Sequence, residues 1–209
     1  RAQRKVASVS STQKVKRLIE NIGGTTIGRP YLSGQFHLGG RNVIGYTSVA
    51  KNRPANVSVF QAGKSAQVTQ LNEDLFEGLT LGEVREITYK SSYDGQEIQG
   101  WFVLPPDFSQ LDQYPLILEI HGGPFSAYGD FFSAELQLMA AAGYVVFYDN
   151  HRGSTSYGED FAMLLHGKYS SEYDFADHMS GVDTMLSKDF IDRNNLFIAG
   201  GSAGGIATA

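Results

Sequence analysis

The stretch Leu196-Phe-Ile-Ala-Gly-Gly-Ser-Ala-Gly-Gly205 constrains the fold more than any other part of the chain. Leu196 to Ala199 is a short apolar run with the character of a buried strand, Gly200-x-Ser202-x-Gly204 follows at once, and small residues continue to Ala209. A serine between two such glycines, on a turn that leaves a buried strand and enters a helix, is the nucleophile-elbow pattern. The turn is tight, so the positions two before and two after the serine must lack bulk. Oγ then stands clear of the backbone, with the N-terminus of the following helix beneath it. Taken alone, the pattern also describes a glycine-rich turn without chemistry, so its weight depends on what precedes it.

What precedes it alternates. Val84 to Lys90 switches between apolar and polar residues, as a half-exposed strand does, and Asp94-Gly95 supplies a hairpin turn into Glu97–Leu104, which Pro105-Pro106 stops. Tyr114 to Ile120 is mostly apolar, fitting a strand covered on both faces. Phe132, Leu136, Met139 and Ala140 mark one face of a helix from about Phe131 to Ala142, ended by Gly143. Tyr144 to Tyr148 is a further buried strand, Asn150 to Gly158 a loop, and Phe175, Met179, Val182 and Leu186 give Glu172–Lys188 a helical stripe. This order predicts an α/β fold: a mainly parallel sheet with helices on both faces and the hairpin as an antiparallel edge. It is the first half of an α/β-hydrolase sheet.

The first 80 or so residues read as β. Val15–Ile19 is a short strand with a turn at Ile22-Gly-Gly24. Gln35–Leu38, Asn42–Val49, Asn56–Phe60 and Ala66–Leu71 are four strands joined by turns, with a loop at Ala50–Pro54. Their length and rhythm match one β-propeller blade. A small meander belonging to the next domain is the competing reading. Asn72 to Gly82 reads as the linker. The expected division is residues 1–81, the C-terminal end of a β-propeller domain, and residues 82–209, the N-terminal part of a hydrolase domain.

Composition sets outer limits. Of 209 residues, 42% are apolar, enough for a substantial core, and the net charge of −5 argues against a nucleic-acid surface. The basic residues between Arg1 and Arg17 are mixed with polar ones and read as solvated. There is no cysteine, hence no disulfide frame and no thiolate metal site, which suits the bacterial cytoplasm and the periplasm alike. No apolar run approaches the roughly 20 residues of a membrane span, so no membrane partner is expected. The opening Arg1 and the closing Ala209, inside an expected helix, suggest a chain cut at both ends.

The second chemical motif is His121-Gly-Gly-Pro124, directly after a buried strand. Acyl transfer passes through a tetrahedral oxyanion that needs two pre-aimed N–H donors. One comes from the residue after the nucleophile, here Ala203. Gly123 is the candidate for the second, in a glycine-rich loop after an early strand, with Pro124 stiffening the loop's exit. The plainer alternative is a strand-end turn in which His121 only packs.

Together HGGPFSAYGD, NHRGSTSYGEDF and DRNNLFIAGGSAGG resemble the prolyl oligopeptidase family of serine peptidases, over about residues 82–209. The nearest members are the bacterial acylaminoacyl-peptidase and dipeptidyl-peptidase-like ones. The resemblance implies an N-terminal β-propeller, a C-terminal α/β-hydrolase domain and a Ser-Asp-His peptidase acting on short peptides. Ser202 would be the nucleophile, and Gly123 and Ala203 the oxyanion donors. Arg152 matches the family's N-x-R-G-S arginine and reads as a loop organiser paired with a carboxylate such as Asp177. Ala203 stands where many members carry a larger side chain, which affects pocket shape rather than the backbone donor. His151 occupies a variable site and is expected at the surface.

All five histidines (His37, His121, His151, His166, His178) precede Ser202, and no Asp, Glu or His follows it. In this fold the order is nucleophile, acid, histidine. The general base and its orienting acid are therefore expected beyond Ala209, and the 209 residues alone are expected to be inactive. Asp174, Asp177 and His178 lack a metalloprotease spacing and read as a solvated helix face; no metal and no cofactor is implied. Gly23-Gly24 and Gly39-Gly40 lie between strands and read as turns, not phosphate cradles. The reading is a serine peptidase that hydrolyses amide bonds through an acyl-enzyme on Ser202. An esterase or lipase shares the elbow, and a non-catalytic propeller binding module is the alternative from another class.

Overall fold

The computed structural model describes residues 2–123, 125–169 and 171–209. The chain forms two compact units. One comprises Gln3–Thr80 together with Gly129–Ala134; the other comprises Leu81–Tyr128 and Glu135–Ala209, with Ala2. The path is therefore not a single cut near residue 81, because Gly129–Ala134 belongs with the first unit.

The first unit is an antiparallel sheet of β1 (Arg4–Val9), β2 (Val15–Ile22), β3 (Phe36–Leu38), β4 (Ile44–Ala50), β5 (Arg53–Gln61) and β6 (Lys64–Gln67). Its order is β1-β2-β4-β5-β6, with β3 also on β4. The meander β3 to β6 overlaps the four strands expected from the sequence, but β6 ends at Gln67, and the rest of the expected Ala66–Leu71 strand is instead held by Asn56 Oδ1, which accepts from Thr69 Oγ1 and Leu71 N–H. The β5–β6 turn uses Ala62 (φ 50°) and Gly63 (φ 82°), and a two-residue loop with both φ positive matches the strands' twist. β5 starts at Arg53, inside the expected loop; Pro54 is tolerated beside the register shift between Ser48 and Ala50. The sequence pattern missed β1, since only Val6 of its six residues is buried. Val6, Ile19, Ile22, Ile44 and Tyr46 form the small core.

The expected linker instead carries a short helix, α1 (Glu73–Glu77). Phe76 of α1 is buried and meets the Phe132 ring edge-on at 5.3 Å. At the far end of the linker, Gly82 N–H donates to Gln137 Oε1 at 2.8 Å, and a Cβ there would lie 2.2 Å from Leu104 O. Packed residues, not a flexible spacer, occupy both ends of this segment.

The second unit contains β7 (Val84–Lys90), β8 (Glu97–Val103), β9 (Tyr114–Ile120), α2 (Ala134–Ala141, its first residue in the other unit), β10 (Val145–Asn150), α3 (Glu159–Ala162), α4 (Glu172–Leu186), β11 (Ile191–Gly200) and α5 (Ala203–Ala207). The sheet order is β11-β9-β10-β8-β7. β11–β9 and β9–β10 are parallel, whereas β10–β8 and β8–β7 are antiparallel. The expectation of a mainly parallel sheet thus holds for only half the pairings, because the opening hairpin supplies two of five strands.

Helices cover both faces, as the strand alternation requires. Val145 and Phe147 of β10 join Phe102, Leu116 and Leu118 in a core that includes Val182 and Met185 of α4. Burial of a ring such as Phe147 contributes about 1.5–3 kcal/mol. On the other face Tyr148 stacks on Trp101 at 5.5 Å, and Gly82 lies against both strand and helix, where a Cβ would stand 2.9 Å from Val103 Cγ1 and 3.3 Å from Ala140 Cβ.

Two burial expectations are overturned. Leu196, Phe197 and Ile198 are 44%, 49% and 50% exposed, because β11 is the edge strand rather than an interior one. On α4 the expected stripe holds only in its second half: Val182 is buried and Leu186 packs on the core, but Phe175 is 64% exposed, while Asp174, Asp177 and His178 are buried. The polar face turns inward because each of these side chains meets a partner there.

Candidate active site

The register of β9 and β11 sets the geometry. They are parallel, with Gly200 opposite Ile120, so Gly201-Ser202 and His121-Gly122-Gly123 leave the sheet at the same end. The first turn of α5 is pressed against the end of β9. A Cβ on Gly204 would lie 2.1 Å from Ile120 O and 2.9 Å from His121 O. A Cβ on Gly200 would lie 2.5 Å from Gly204 O. Both glycines of the Gly-x-Ser-x-Gly pattern are therefore required by backbone contact.

Ser202 sits at the corner between them with φ 57° and ψ −120°. This is the mirror image of extended backbone, which glycine adopts freely and other residues adopt at a cost of about 1–3 kcal/mol. The residue is exposed, whereas Ala203 behind it is buried. Among the described residues the Ser202 hydroxyl makes no hydrogen bond to a histidine, and neither the Gly123 nor the Ala203 N–H is used in a backbone hydrogen bond of a turn or loop. Gly123 differs from the elbow glycines: a Cβ would find Phe125 N at 3.7 Å and the Tyr169 hydroxyl at 3.8 Å, ordinary contacts. Pro124 lies outside the described residues.

His121 packs inside, as its plainer reading had it. It is 2% exposed, its Nδ1 faces Gly122 O at 2.8 Å and its Nε2 faces Ser154 Oγ at 2.9 Å. Burial, reinforced by neighbouring His151, lowers its pKa to about 3, so the ring is neutral. Nδ1–H then donates to Gly122 O. The Ser154 hydroxyl donates to His151 O at 2.6 Å, with its oxygen standing 2.9 Å from Nε2.

His151 was expected at the surface and is only 3% exposed. Its ring stacks on His121 at 4.5 Å and lies 4.5 Å from His178. Asn150 ties the loop after β9 to β10, its side chain pairing with both the N–H and the carbonyl of Tyr128 at 2.8 Å.

Arg152 is a clamp. Its Nε and Nη2 donate to the two oxygens of Asp177 at 2.9 and 2.8 Å, the partner suggested by the sequence. Nη1 and Nη2 reach Asp94 at 3.0 and 2.9 Å, and Nη2 reaches Ser91 Oγ at 3.2 Å. The guanidinium lies over the Tyr93 ring at 5.2 Å. One buried cation thus joins the loop after β10, α4 and the β7–β8 hairpin. It holds the Asp94 carboxyl below its ordinary range.

Tyr89 and Asp149 had no part in the sequence reading. The Tyr89 hydroxyl donates to Asp149 Oδ2 at 2.7 Å, and His178 Nδ1 lies 3.1 Å from the same oxygen. These groups are distant in sequence and only the β7–β8–β10–α4 packing unites them, so no local motif could have announced them.

Residues 130–209 match the profile of the prolyl oligopeptidase family, Peptidase_S9. The uncharacterized peptidase YuxL of Bacillus subtilis is 38% identical over 77% of this chain and 25% of its own length. Dipeptidyl-peptidase 5 of Porphyromonas gingivalis is 31% identical over 69% of this chain and 21% of its own. Among solved structures, Pyrococcus horikoshii acylaminoacyl peptidase superposes with a TM-score of 0.80 at 30% identity, over 93% of this chain and 30% of that one. An acylaminoacyl peptidase in complex with Z-Gly-Gly-Phe-chloromethyl ketone gives 0.76 at 32% identity, over 86% and 28%. The chain spans about a quarter of the length of the curated relatives it matches.

Proposed function

The chain belongs to the prolyl oligopeptidase family, and from that premise we propose that it carries the nucleophile half of a serine peptidase active site. Ser202 attacks the scissile carbonyl, and the N–H groups of Gly123 and Ala203 hold the oxyanion. The C–N bond breaks, the amine leaves with the proton that the base took from Ser202, and the acyl-enzyme that remains on Ser202 is hydrolysed by water to the free acid and the serine hydroxyl. A short peptide is the proposed substrate, supported by the peptide-like chloromethyl ketone held by a related acylaminoacyl peptidase. The β3–β6 meander is proposed as the last blade of a β-propeller and residues 82–209 as the first half of an α/β-hydrolase domain. Neither reading requires a cofactor.

One observation carries this reading: an exposed serine in a strained backbone conformation, at a corner whose two glycines cannot be replaced without collision. Proteins retain such strain where it serves a site. A serine hydroxyl is a weak nucleophile near neutral pH without a base. Since no histidine hydrogen-bonds Ser202 among the described residues, we place the base and its acid outside these 209 residues and propose that the 209 residues alone do not turn over. The test is hydrolysis of short peptide anilides by the full-length protein, its Ser202→Ala variant and the 209-residue chain. The expected result is turnover by the first only, with a loss of several orders of magnitude in the variant. Turnover by Ser202→Ala near the parent's rate contradicts the assignment.

A further inference from the structure

Behind the Gly123 loop lies a group of side chains that acyl transfer does not use. Asp149 is near the end of β10, His151 follows in the loop, and His178 is on α4; they are 1%, 3% and 4% exposed. Asp149 Oδ1, His151 Nδ1 and His178 Nε2 are buried and have no hydrogen-bond partner among the described residues. Buried polar atoms are seldom left this way, and three together in one cluster point to a missing ligand. One donor atom from each residue lies within 4.8 Å of the other two. His151 Nδ1 is 3.7 Å from Asp149 Oδ1, and His178 Nδ1 is 3.1 Å from Asp149 Oδ2.

These spacings suit a small cation. Zinc bonds to imidazole nitrogen at about 2.0–2.1 Å and to carboxylate oxygen at about 2.0–2.2 Å, so neighbouring ligand atoms in a tetrahedron stand roughly 3.3–3.5 Å apart. The 3.7 Å between His151 Nδ1 and Asp149 Oδ1 is close to that value, while His178 Nδ1 is engaged by Asp149 Oδ2 and Nε2 is that ring's remaining donor atom. Two imidazoles and one carboxylate form a borderline donor set that suits zinc and its neighbours rather than calcium or magnesium. The Tyr89 hydroxyl, 2.7 Å from Asp149 Oδ2, and His178 Nδ1 on the same oxygen fix the carboxylate and leave Oδ1 toward His151, as outer partners of metal ligands do. His178 lines a cavity of about 460 Å³ that also presents Glu172 and Asp174, and His151 lines one of about 260 Å³ shared with Gly123. Asp174 and Asp177, considered with His178 from the sequence, have other work: Asp174 caps α4 through the Ser171 N–H at 2.7 Å, and Asp177 holds Arg152.

We propose that Asp149, His151 and His178 form a binding site for one divalent transition-metal ion of the zinc class. The ion joins the end of β10 to α4 and fixes the His151 ring on which His121 stacks, so its effect on the oxyanion loop is one of positioning. The site stands independently of the peptidase assignment.

The test uses the full-length protein, stripped with chelator and titrated with Zn²⁺ by calorimetry and with Co²⁺ by visible absorption. The expected results are one saturable equivalent per chain, a raised melting temperature with Zn²⁺, and the intense Co²⁺ bands of a four- or five-coordinate nitrogen and oxygen site. His151→Gln/His178→Gln is expected to weaken Zn²⁺ binding by more than about 100-fold, beyond the loss caused by an outer partner. No binding by the parent protein, or equal binding by the double variant, overturns the proposal. If the double variant does not fold, the parent's Co²⁺ spectrum decides: only the faint bands of octahedral, water-rich Co²⁺ also overturn it.

Discussion

Ser202 and the glycines around it divide labour in a way substitutions can expose. At φ 57° and ψ −120° the serine is strained, and glycine is at ease there. Ser202→Gly is therefore expected to stabilise the full-length protein by about 1–3 kcal/mol while abolishing peptide hydrolysis. Thermal melting and an activity assay on one preparation check both halves; an unchanged or lower melting temperature argues against the strain. Gly204 and Gly123 should separate likewise. Gly204→Ala forces a Cβ to 2.1 Å from Ile120 O and is expected to destabilise strongly, whereas Gly123→Ala meets nothing nearer than 3.7 Å. The second variant should melt within about 1 kcal/mol of the parent and lose turnover, because its methyl group borders the proposed oxyanion position. Equal melting losses in the two variants contradict this difference.

At the scale of elements, Arg152 joins a loop, a hairpin and a helix. Removing it strands Asp177, which is 0% exposed, without a cation. Arg152→Ala is expected to cost about 3–5 kcal/mol in denaturant unfolding, and Arg152→Lys to recover little, because an ammonium cannot serve two carboxylates in forks. A cost below about 1 kcal/mol for Arg152→Ala would show the clamp to be dispensable. The hairpin arm of the clamp also sets a pH dependence. Arg152 lowers the Asp94 pKa below 3.8, so the unfolded chain binds more protons in the interval between the two values. The stabilisation from Asp94 is present above 3.8 and is lost as pH falls through the lower folded value. Asp94→Asn should flatten that part of the melting-temperature profile; an unaltered acid limb contradicts the assignment. How far these elements could be read from the sequence varied with their physics. The Asp94-Gly95 hairpin, the buried β9 and β10, and the glycine spacing at the elbow are local patterns, and each was legible. The inward face of α4 was legible only in part: Val182 and Leu186 of the apolar stripe pack in the core, but Phe175 and Met179 are exposed, while Asp177 and His178 are buried by partners far away in sequence. β1 escaped for the opposite reason: its single buried residue leaves no period to detect.

At the scale of the molecule, β11 is the exposed element. It edges the sheet, and Leu196, Phe197 and Ile198 are each roughly half exposed. An apolar open edge is a template for pairing with other chains. The 209-residue chain made alone is expected to self-associate, and Phe197→Lys/Ile198→Lys to shift it toward monomer in sedimentation; a monomeric parent chain contradicts this. The position of β11 was hidden in the sequence because a continuous apolar run looks the same at a sheet's edge as in its middle. The central claim is that Ser202 is the nucleophile. It is tested most directly by treating the full-length protein with a fluorophosphonate and locating the adduct by peptide mass spectrometry. The expected result is one adduct per chain on Ser202, absent in Ser202→Ala. An active protein that takes up the reagent at another residue, or hydrolyses peptides without being labelled or inhibited at all, contradicts the claim.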